Sequence, residues 1–316
     1  MKVAVLDDYQ RVALSHPYWA TLPADVSVVP FHDHVPAADL PALLEPFDVV
    51  VAMRERTALP GSLLAGLPRL KLIVTAGMAN AAIDLAAARA RGITVCGTAS
   101  ASTSTVELTW ALLLALVRGV PAADASLRNG KWQTDSLPGA DLAESTLGVI
   151  GLGRLGSKVA AVARAFGMRV IAWSENLTAE RAAECDAELV TRDVLLSTSD
   201  IVTVHVRLSD RTRGLMGAAE LAAMKPTAYL VNTSRGPIVD ERALIDALNE
   251  GRIAGAGLDV YDLEPLPAGH PLLSTPNTVL TPHLGYATLG TLDLFFREIV
   301  ADIAAFHAGE PIRVIG

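Results

Sequence analysis

The chain has 316 residues, of which 51% are hydrophobic and 19% are charged, and its formal net charge is −8. This composition predicts a folded protein of two ordinary domains and excludes a disordered chain. The negative charge argues against nucleic acid as a partner, because phosphate contacts need clustered Lys and Arg. The two cysteines, Cys96 and Cys185, have no His or Cys neighbours at metal-ligand spacing, so we expect no metal site and no disulfide framework.

The N-terminus, MKVAVLDDY, lacks the apolar run and cleavage site of a signal peptide. The most apolar window, TWALLLALVRGV from Thr109, is too short for a membrane span, which needs about 20 residues. It is typical of a buried helix. We therefore expect a soluble, cytoplasmic protein with no membrane partner.

The first third of the chain alternates short runs of β-branched residues with Ala- and Leu-rich segments. Strands are predicted at 2–7, 26–31, 48–53, 71–76 and 93–98. The segment IDLAAARARG, between the last two, ends in Gly92, where a helix would stop. Short apolar strands that alternate with helices predict a parallel sheet covered on both faces.

A second series of elements begins near Ser100. One or two long helices, broken near Pro121, precede strands predicted at 146–150, 169–173, 187–190, 201–206, 228–233, 254–260 and 278–281. A long amphipathic helix and a short apolar tail follow, and we expect that helix to pack on the first domain. The pattern predicts an α/β protein with two doubly wound parallel-sheet domains, residues 1–98 plus 287–316 and residues 99–286.

A glycine-rich loop joins the first strand of the second series to a helical segment. Gly151, Gly153 and Gly156, with Arg154 and Leu155 among them, form a G-x-G-x-x-G pattern. Glycines at this spacing let backbone N–H groups at a helix N-terminus approach a pyrophosphate, so the loop predicts a dinucleotide site in a Rossmann domain. A purely structural turn, or another nucleoside ligand such as S-adenosylmethionine, remains an alternative.

The next strand, RVIAW, runs out into Ser174 and Glu175, where such domains place an acid on the adenosine ribose. Glu175 can accept a hydrogen bond from the 2′-hydroxyl and would repel a 2′-phosphate, which favours NAD over NADP. Arg181 lies close enough in sequence to reach a phosphate, so NADP stays open.

Four ionisable residues follow the last strands of the series: Arg235, Asp259, Glu264 and His283. The carboxyl ends of parallel strands meet at one edge of a sheet, where doubly wound folds bind their ligands. Singly, each residue has an ordinary explanation as a surface charge, a turn cap or a structural histidine.

Along nearly its whole length the chain resembles the D-isomer-specific 2-hydroxyacid dehydrogenase family. The matching segments are TLGVIGLGRLGSKVA, the long stretch HVRLSDRTRGLM…VNTSRGPIVDERAL…GAGLDVYDLEPLP, and TPHLGYAT. The resemblance implies a flavodoxin-like substrate domain, a Rossmann cofactor domain, and Arg235, Glu264 and His283 as the catalytic residues.

These three residue types suit hydride transfer between a nicotinamide and a 2-oxo acid. His283 would give a proton to the developing alkoxide, or take it in the reverse direction. Glu264, on the other ring nitrogen, would orient the imidazole and favour its cation. Arg235 offers a planar fork for the substrate's carboxylate and carbonyl.

The resemblance also implies roles for residues outside this triad. On the substrate side are Arg54, which could instead be a solvated loop charge, and the backbone N–H groups around Ala76, Gly77 and Met78. Asp259 would contact the nicotinamide carboxamide or merely cap a turn. The other positions expected along the cofactor cleft are His205, Thr233, Ser234 and Gly285.

Two residues depart from the family's pattern: Tyr286, where a glycine is common, and Arg207, where a proline is commoner. Neither removes a catalytic group. The sequence thus predicts an NAD(P)-dependent oxidoreductase acting on a small 2-hydroxy or 2-oxo acid. It also predicts a homodimer formed through the apolar helix 104–120.

Two other classes of protein are alternatives to this prediction. A non-enzymatic NAD-sensing protein of the same fold is the main alternative. An S-adenosylmethionine-dependent transferase would leave the Arg, Glu and His set without a purpose.

Overall fold

The computed structural model describes residues 1–101, 103–133 and 138–315. The chain divides into two compact units, Met1–Ala101 with Ala287–Gly316 and Ser102–Tyr286. Each unit is built on one parallel β-sheet. The α/β class predicted from the sequence is confirmed.

The first unit contains a five-stranded sheet whose strands lie in the order β2-β1-β3-β4-β5. The strands are β1 (Lys2–Val5), β2 (Ser27–Pro30), β3 (Val49–Ala52), β4 (Leu72–Thr75) and β5 (Thr94–Gly97). The helices between them are α1 (Leu40–Leu44), α2 (Gly61–Ala65) and α3 (Leu85–Ala90). This strand order is the flavodoxin-like one, so that prediction is confirmed.

The two central strands of this sheet show why it is parallel and covered. All four residues of β3 and of β4 are buried. An alternating pattern would leave one face wet, whereas continuous Val, Ile and Leu require apolar cover on both faces. The helix α3 begins at Asp84, whose side chain accepts the Ala87 N–H, and Gly92, at φ +69°, follows its end.

The second unit opens with two helices, α4 (Thr103–Val117) and α5 (Val120–Arg128), which are separated at Gly119. A seven-stranded parallel sheet follows, in the order β12-β11-β10-β9-β6-β7-β8. Its strands are β6 (Thr146–Ile150), β7 (Arg169–Trp173), β8 (Glu188–Leu189), β9 (Ile201–Val204), β10 (Tyr229–Asn232), β11 (Gly255–Leu258) and β12 (Thr278–Leu280). Its other helices are α6 (Gly156–Ala165), α7 (Ala179–Glu184), α8 (Arg192–Thr198), α9 (Ala218–Ala223) and α10 (Glu241–Asn249).

The strand order of this sheet reverses direction between β6 and β9. From β6 the chain moves outward through β7 and β8, and it then returns to the other side of β6 to continue through β9. This is the doubly wound Rossmann arrangement, in which ligands lie beyond the carboxyl ends of the strands at the reversal. The Rossmann prediction is therefore confirmed.

The apolar helix α4 belongs to the core of the second unit. Trp110, Leu112, Leu113 and Val117 are buried among residues of β6, β7 and α6. The helix is therefore apolar because its own unit covers it, and this feature needs no partner chain. Among the described residues no single helix is long and apolar enough to cross a membrane, and only α4 and α5 together, across a 61° bend, meet the length and composition required.

The last helix, α11 (Leu289–His307), belongs to the first unit. Phe295 and Phe296 on this helix are fully buried, and the Phe296 ring lies 4.8 Å from the ring of His16. Beyond α11 the chain forms an antiparallel bridge between Val314 and Cys96 at the edge strand β5. The first unit is thus completed by residues that follow the whole second unit in sequence.

Candidate active site

His283 and Glu264 face each other beyond the carboxyl ends of β12 and β11. The His283 Nδ1 lies 2.6 Å from the Glu264 Oε2. The second oxygen of Glu264 accepts the Tyr261 N–H at 3.0 Å. Burial alone would raise the pKa of Glu264, but the hydrogen bond and charge of His283, with the Tyr261 N–H and Arg235, hold that pKa below its usual value. An ionised carboxylate therefore faces Nδ1, and Nε2 is left to exchange a proton.

The backbone at His283 is held in an uncommon conformation by Asp259. His283 has a φ of +53°, in the left-handed region that non-glycine residues rarely adopt. The Asp259 carboxylate, 1% exposed, accepts the Leu284 N–H at 2.7 Å, the Gly285 N–H at 2.8 Å and the Thr281 hydroxyl at 2.6 Å. Burial raises the pKa of Asp259 in spite of these bonds. The geometry supports the turn-capping role, and the carboxamide contact stays a prediction.

Arg235 follows β10 in a turn that Asn232 closes. The buried Asn232 side chain donates to the Arg235 carbonyl and accepts the Ser234 N–H, both at 3.0 Å. The next residue, Gly236, has no room for a side chain, since a Cβ there would lie 2.0 Å from the Tyr261 carbonyl carbon. This close approach places Arg235 beside the turn that carries Glu264, where its charge contributes to the lowered pKa of that carboxyl.

The glycine-rich loop between β6 and α6 has the shape a pyrophosphate requires. Gly151 has φ +98°, and Gly156 packs so tightly that a Cβ would lie 2.1 Å from the Gly151 carbonyl oxygen. A Cβ at Gly153 would meet no atom within 4 Å, so the loop has open space above it. Arg154 is exposed and Leu155 precedes the first turn of α6. The loop therefore fits the phosphates of a dinucleotide at a helix N-terminus.

Residues expected along the cofactor cleft are tied to neighbouring strands. The His205 Nε2 lies 2.9 Å from the Thr203 hydroxyl, and burial lowers the pKa of His205 to about 4, so its imidazole is neutral at pH 7. The Thr233 hydroxyl lies 2.8 Å from the Thr109 hydroxyl, and the Ser234 hydroxyl donates to the Val206 carbonyl. These bonds give His205 a structural role and leave its predicted contact with cofactor untested.

The expected ribose site lies just past β7. Glu175 is exposed there, and Ser174 is partly buried. Arg181, which could have met a 2′-phosphate, has its guanidinium 2.9 Å from the Glu184 Oε2 on the same helix. The charge available at this position is therefore that of Glu175.

The expected substrate loops lie in the first unit, beyond β3 and β4. Arg54 has φ +57°, its side chain is 22% exposed, and a Cβ at Gly77 would lie 2.9 Å from its Nη1. The Ala76 N–H donates to the Ala52 carbonyl, and the Gly77 N–H donates to the Thr98 hydroxyl. Across the described ranges the Met78 N–H has no partner. The Arg54 side chain thus lies over Gly77 rather than out in solvent. The backbone N–H of Met78 is the one that is open to a ligand.

A residue that the sequence analysis did not single out fixes the Arg54 loop. Asp7, at the end of β1, is 2% exposed and has φ +59°. Its carboxylate accepts the Thr57 hydroxyl at 2.7 Å and the Tyr9 hydroxyl at 3.1 Å, and its carbonyl accepts the Arg56 Nη1 at 3.1 Å. No local pattern in the sequence indicates these bonds, because their partners on the loop lie about 50 residues away.

The chain is similar in sequence to known dehydrogenases and reductases. Residues 110–285 match the D-isomer specific 2-hydroxyacid dehydrogenase, NAD binding domain. A glyoxylate reductase from Aeropyrum pernix is 43% identical over 256 residues, covering 78% of this chain and 76% of that protein. The chain belongs to the D-isomer specific 2-hydroxyacid dehydrogenase family.

Other members of this oxidoreductase family extend the comparison. A D-3-phosphoglycerate dehydrogenase from Archaeoglobus fulgidus is 39% identical over 83% of this chain, and the chain spans about half of that relative's length, 50%. The crystal structure of a phosphoglycerate oxidoreductase from Vibrio cholerae superposes with a TM-score of 0.93 at 34% identity, covering 98% of this chain and 99% of that one. The second unit thus carries the NAD-binding domain of the 2-hydroxyacid dehydrogenases, and the cofactor prediction of NAD is confirmed at that level.

Two further residues that support the site, both in the second unit, were not predicted from the sequence. Asn232 had a usable signal, because an Asn at the end of a strand, followed by polar residues and Gly-Pro, is typical of a side-chain-closed turn. Tyr261 had none: its hydroxyl donates to the Thr281 carbonyl at 2.9 Å, 20 residues away. These residues hold the turns on which Arg235, Glu264 and His283 lie.

Proposed function

We propose that this 2-hydroxyacid dehydrogenase family member transfers hydride between NAD(H) and a small D-2-hydroxy acid or 2-oxo acid. The observation that carries the proposal is the His283–Glu264 pair, with Arg235 held beside the turn of Glu264, in a unit of the family's NAD-binding type. An ion-paired imidazole with one nitrogen open and an adjacent guanidinium is the equipment that carbonyl reduction needs.

When bound, the nicotinamide supplies or accepts the hydride. In reduction, the carbonyl carbon of the 2-oxo acid takes the hydride, and His283 Nε2 gives its proton to the oxygen as negative charge develops there. Glu264 stabilises the imidazolium and fixes the ring through Nδ1. Arg235 binds the carboxylate and polarises the carbonyl, and in oxidation each residue works in reverse.

The first unit carries, by itself, an edge suited to an anion. Arg54 lies over Gly77, and the Met78 N–H is open among the described residues. We propose that this edge binds a carboxylate. Glyoxylate is the first substrate to test, since the glyoxylate reductases of Aeropyrum pernix and Korarchaeum cryptofilum match with 43% and 40% identity over about three quarters of each protein, 76% and 75%.

Loss of absorbance at 340 nm tests the activity, with NADH and a panel of glyoxylate, hydroxypyruvate and other 2-oxo acids. Turnover of at least one acid is expected. A protein that binds NADH and turns over none of them would refute the proposal and favour an NAD-sensing protein of the same fold. His283→Ala separates the two classes further, since it would abolish turnover and spare NADH binding.

The choice of cofactor is tested at Glu175. We propose NAD over NADP because Glu175 would repel a 2′-phosphate and Arg181 is paired with Glu184. The ratio of kcat/KM for NADH to that for NADPH should exceed one, and Glu175→Arg should lower it at least tenfold, on the order of 1.4 kcal/mol. A wild-type preference for NADPH would overturn this part.

We further propose a homodimer that works in the cytoplasm. The helix α5 has no buried residue among those described, and Val120, Leu127 and Trp132 are 52%, 56% and 75% exposed. A second copy would cover this apolar surface. Both cysteines are free thiols, which suits a reducing compartment. Light scattering at micromolar concentration should give twice the chain mass, and a monomer mass would refute the dimer.

A further inference from the structure

A second carboxylate–imidazole pair lies at the turn that carries Glu264. The Glu241 Oε1 is 3.1 Å from the His270 Nε2, and the two side chains are 17% and 18% exposed. The other oxygen of Glu241 accepts the Asp262 N–H at 3.3 Å. Glu241 therefore bridges a fixed imidazole and the middle of the Tyr261–Glu264 turn.

The hydrogen bonds of His270 define which of its nitrogens carries the proton. The Leu272 N–H donates to the His270 Nδ1 at 3.3 Å, so Nδ1 is an acceptor and Nε2 carries the hydrogen that points to Glu241. The backbone N–H of His270 donates to the Pro267 carbonyl, and the Leu272 side chain is fully buried in the core of the unit. His270 is thus anchored on both sides and has no nitrogen left to move a proton for the reaction.

Two neighbouring backbone N–H groups of the turn donate hydrogen bonds to two different carboxylates. The Tyr261 N–H donates to Glu264, and the Asp262 N–H donates to Glu241. The peptide unit between residues 261 and 262 also abuts Gly236, where a Cβ would lie 2.6 Å from the Asp262 nitrogen. If Glu241 released the Asp262 N–H, this peptide would lose one of its two supports, and a shift there would pass through the Tyr261 α-carbon to the preceding amide, which holds Glu264.

Acidic side chains are gathered on this side of the turn. Burial raises the pKa of Asp262, and the charges of Glu241 and Asp240 raise it further, whereas Arg213 and His270 act in the opposite direction. Arg213 is therefore the cation that offsets the negative charge on this side of the turn, and His270, whose Nδ1 is an acceptor, holds Glu241 by a hydrogen bond.

We propose that Glu241 is a positioning residue for the reaction: with His270 it holds the Asp262 N–H and so fixes the turn that presents Glu264 to His283. The inference rests on the proposed function for its kinetic consequences. Its structural consequence, the strength of the hydrogen bond between Glu264 and the His283 Nδ1, exists whether or not the protein turns over a 2-oxo acid.

The test uses Glu241→Ala, with Glu250→Ala as its matched control. Glu250 lies just past the other end of the same helix, is 61% exposed and pairs with Arg252. Because small displacements of catalytic groups are costly, Glu241→Ala should lower kcat about tenfold and leave the NADH Kd within twofold. It should also move the pH profile of kcat/KM in the same direction as Glu264→Gln does, and Glu250→Ala should match the wild type in every measurement.

Proton NMR of the imidazole supplies a readout that is independent of turnover. The His283 Nδ1 proton, bonded to a carboxylate at 2.6 Å, should resonate far downfield in the wild type and in Glu250→Ala. It should move upfield or broaden in Glu241→Ala and vanish in Glu264→Gln. An unchanged resonance and an unchanged pH profile in Glu241→Ala would overturn the inference.

Failure of the proposed function gives a different result. A wild type that reduces no 2-oxo acid, yet loses the downfield signal in Glu241→Ala, refutes the activity and keeps the structural inference. If Glu241→Ala does not fold, Glu241→Gln takes its place, because its amide presents an acceptor oxygen to only one of the two donors, His270 or Asp262, and an NH2 group to the other. An intermediate shift of the resonance is then expected, and a wild-type spectrum would overturn the inference.

Discussion

The second unit contains two carboxylate–imidazole pairs with nearly the same exposure and opposite uses of the imidazole. In His283–Glu264 the side chains are 16% and 24% exposed, and in His270–Glu241 they are 18% and 17% exposed. His283 bonds its carboxylate through Nδ1, and within the described part of the chain its Nε2 has no partner. His270 uses both nitrogens. The open nitrogen, rather than burial or the presence of an acid, distinguishes the proposed proton donor from the proposed structural support.

Replacing the two histidines should separate the pairs most clearly. His283→Ala removes the proton donor, and we expect kcat to fall about 10³-fold with NADH binding kept. His270→Gln should cost no more than about tenfold, because it disturbs only the placement of the turn. Steady-state kinetics and NADH fluorescence measure both. Equal losses in the two variants would show that the open nitrogen does not distinguish the pairs.

Removing the charge of Glu264 should have the next largest effect. Glu264→Gln cannot stabilise the imidazolium, so kcat for reduction should fall roughly 10- to 100-fold. Reduction takes its proton from the imidazole that Glu264 holds through Nδ1, so the substitution should also change how kcat depends on pH. The pH profile of kcat measures this, with Glu250→Gln as the control. A profile that coincides with the wild type would contradict the role of Glu264.

A double variant tests whether the second pair acts through the first. If Glu241 works only by placing Glu264, Glu241→Ala should cost much less in a Glu264→Gln background than in the wild type. The expected coupling is about 1 kcal/mol, a fivefold difference in kcat/KM. Four proteins measured under one set of conditions give this number. Multiplicative losses would mean that the two carboxylates act independently.

The smallest expected effect is on how the free energy of unfolding depends on pH. The pKa of Glu264 is lowered in the folded state, so its contribution to stability is present above the unfolded-state value of about 4.3 and is lost as pH falls through the lower folded value. Urea unfolding of the wild type and Glu264→Gln should differ by about 1 kcal/mol at pH 7 and equally at pH 5. The difference should shrink only below about pH 4. A difference that faded between pH 7 and pH 5 would contradict the lowered pKa.

The sequence predicted the twelve strands seen in the described residues, since continuous Val, Ile and Leu runs between turn residues are typical of buried strands. The largest differences between predicted and observed strands are at their carboxyl ends. The strand predicted at 201–206 ends at Val204, and the one predicted at 254–260 ends at Leu258. Just beyond these ends, the His205 N–H still donates to the Ile150 carbonyl and the Asp259 N–H to the Asn232 carbonyl, so each strand is followed by one more bond to its neighbour.

The site was predictable where a residue's role follows from its chemistry and its place after a strand. Arg235, Glu264 and His283 are of that kind, and their catalytic roles stay predictions until variants are measured. Glu241 is of another kind. It follows Asp240, which caps α10, and an acid there is usually explained by the helix dipole. Its bonds to His270 and Asp262 span 29 and 21 residues, and only the fold brings these together.

The return of α11 to the first unit has a consequence for biosynthesis. Residues 102–286 are continuous, so the second unit can fold as soon as that stretch has left the ribosome. The first unit waits longer, because Phe295 and Phe296 fill its interior and are made after the entire second unit. Residues 1–101 therefore pass through synthesis with an unfilled core and an uncovered sheet edge at β5, and this is the stage at which a chaperone would protect the nascent chain.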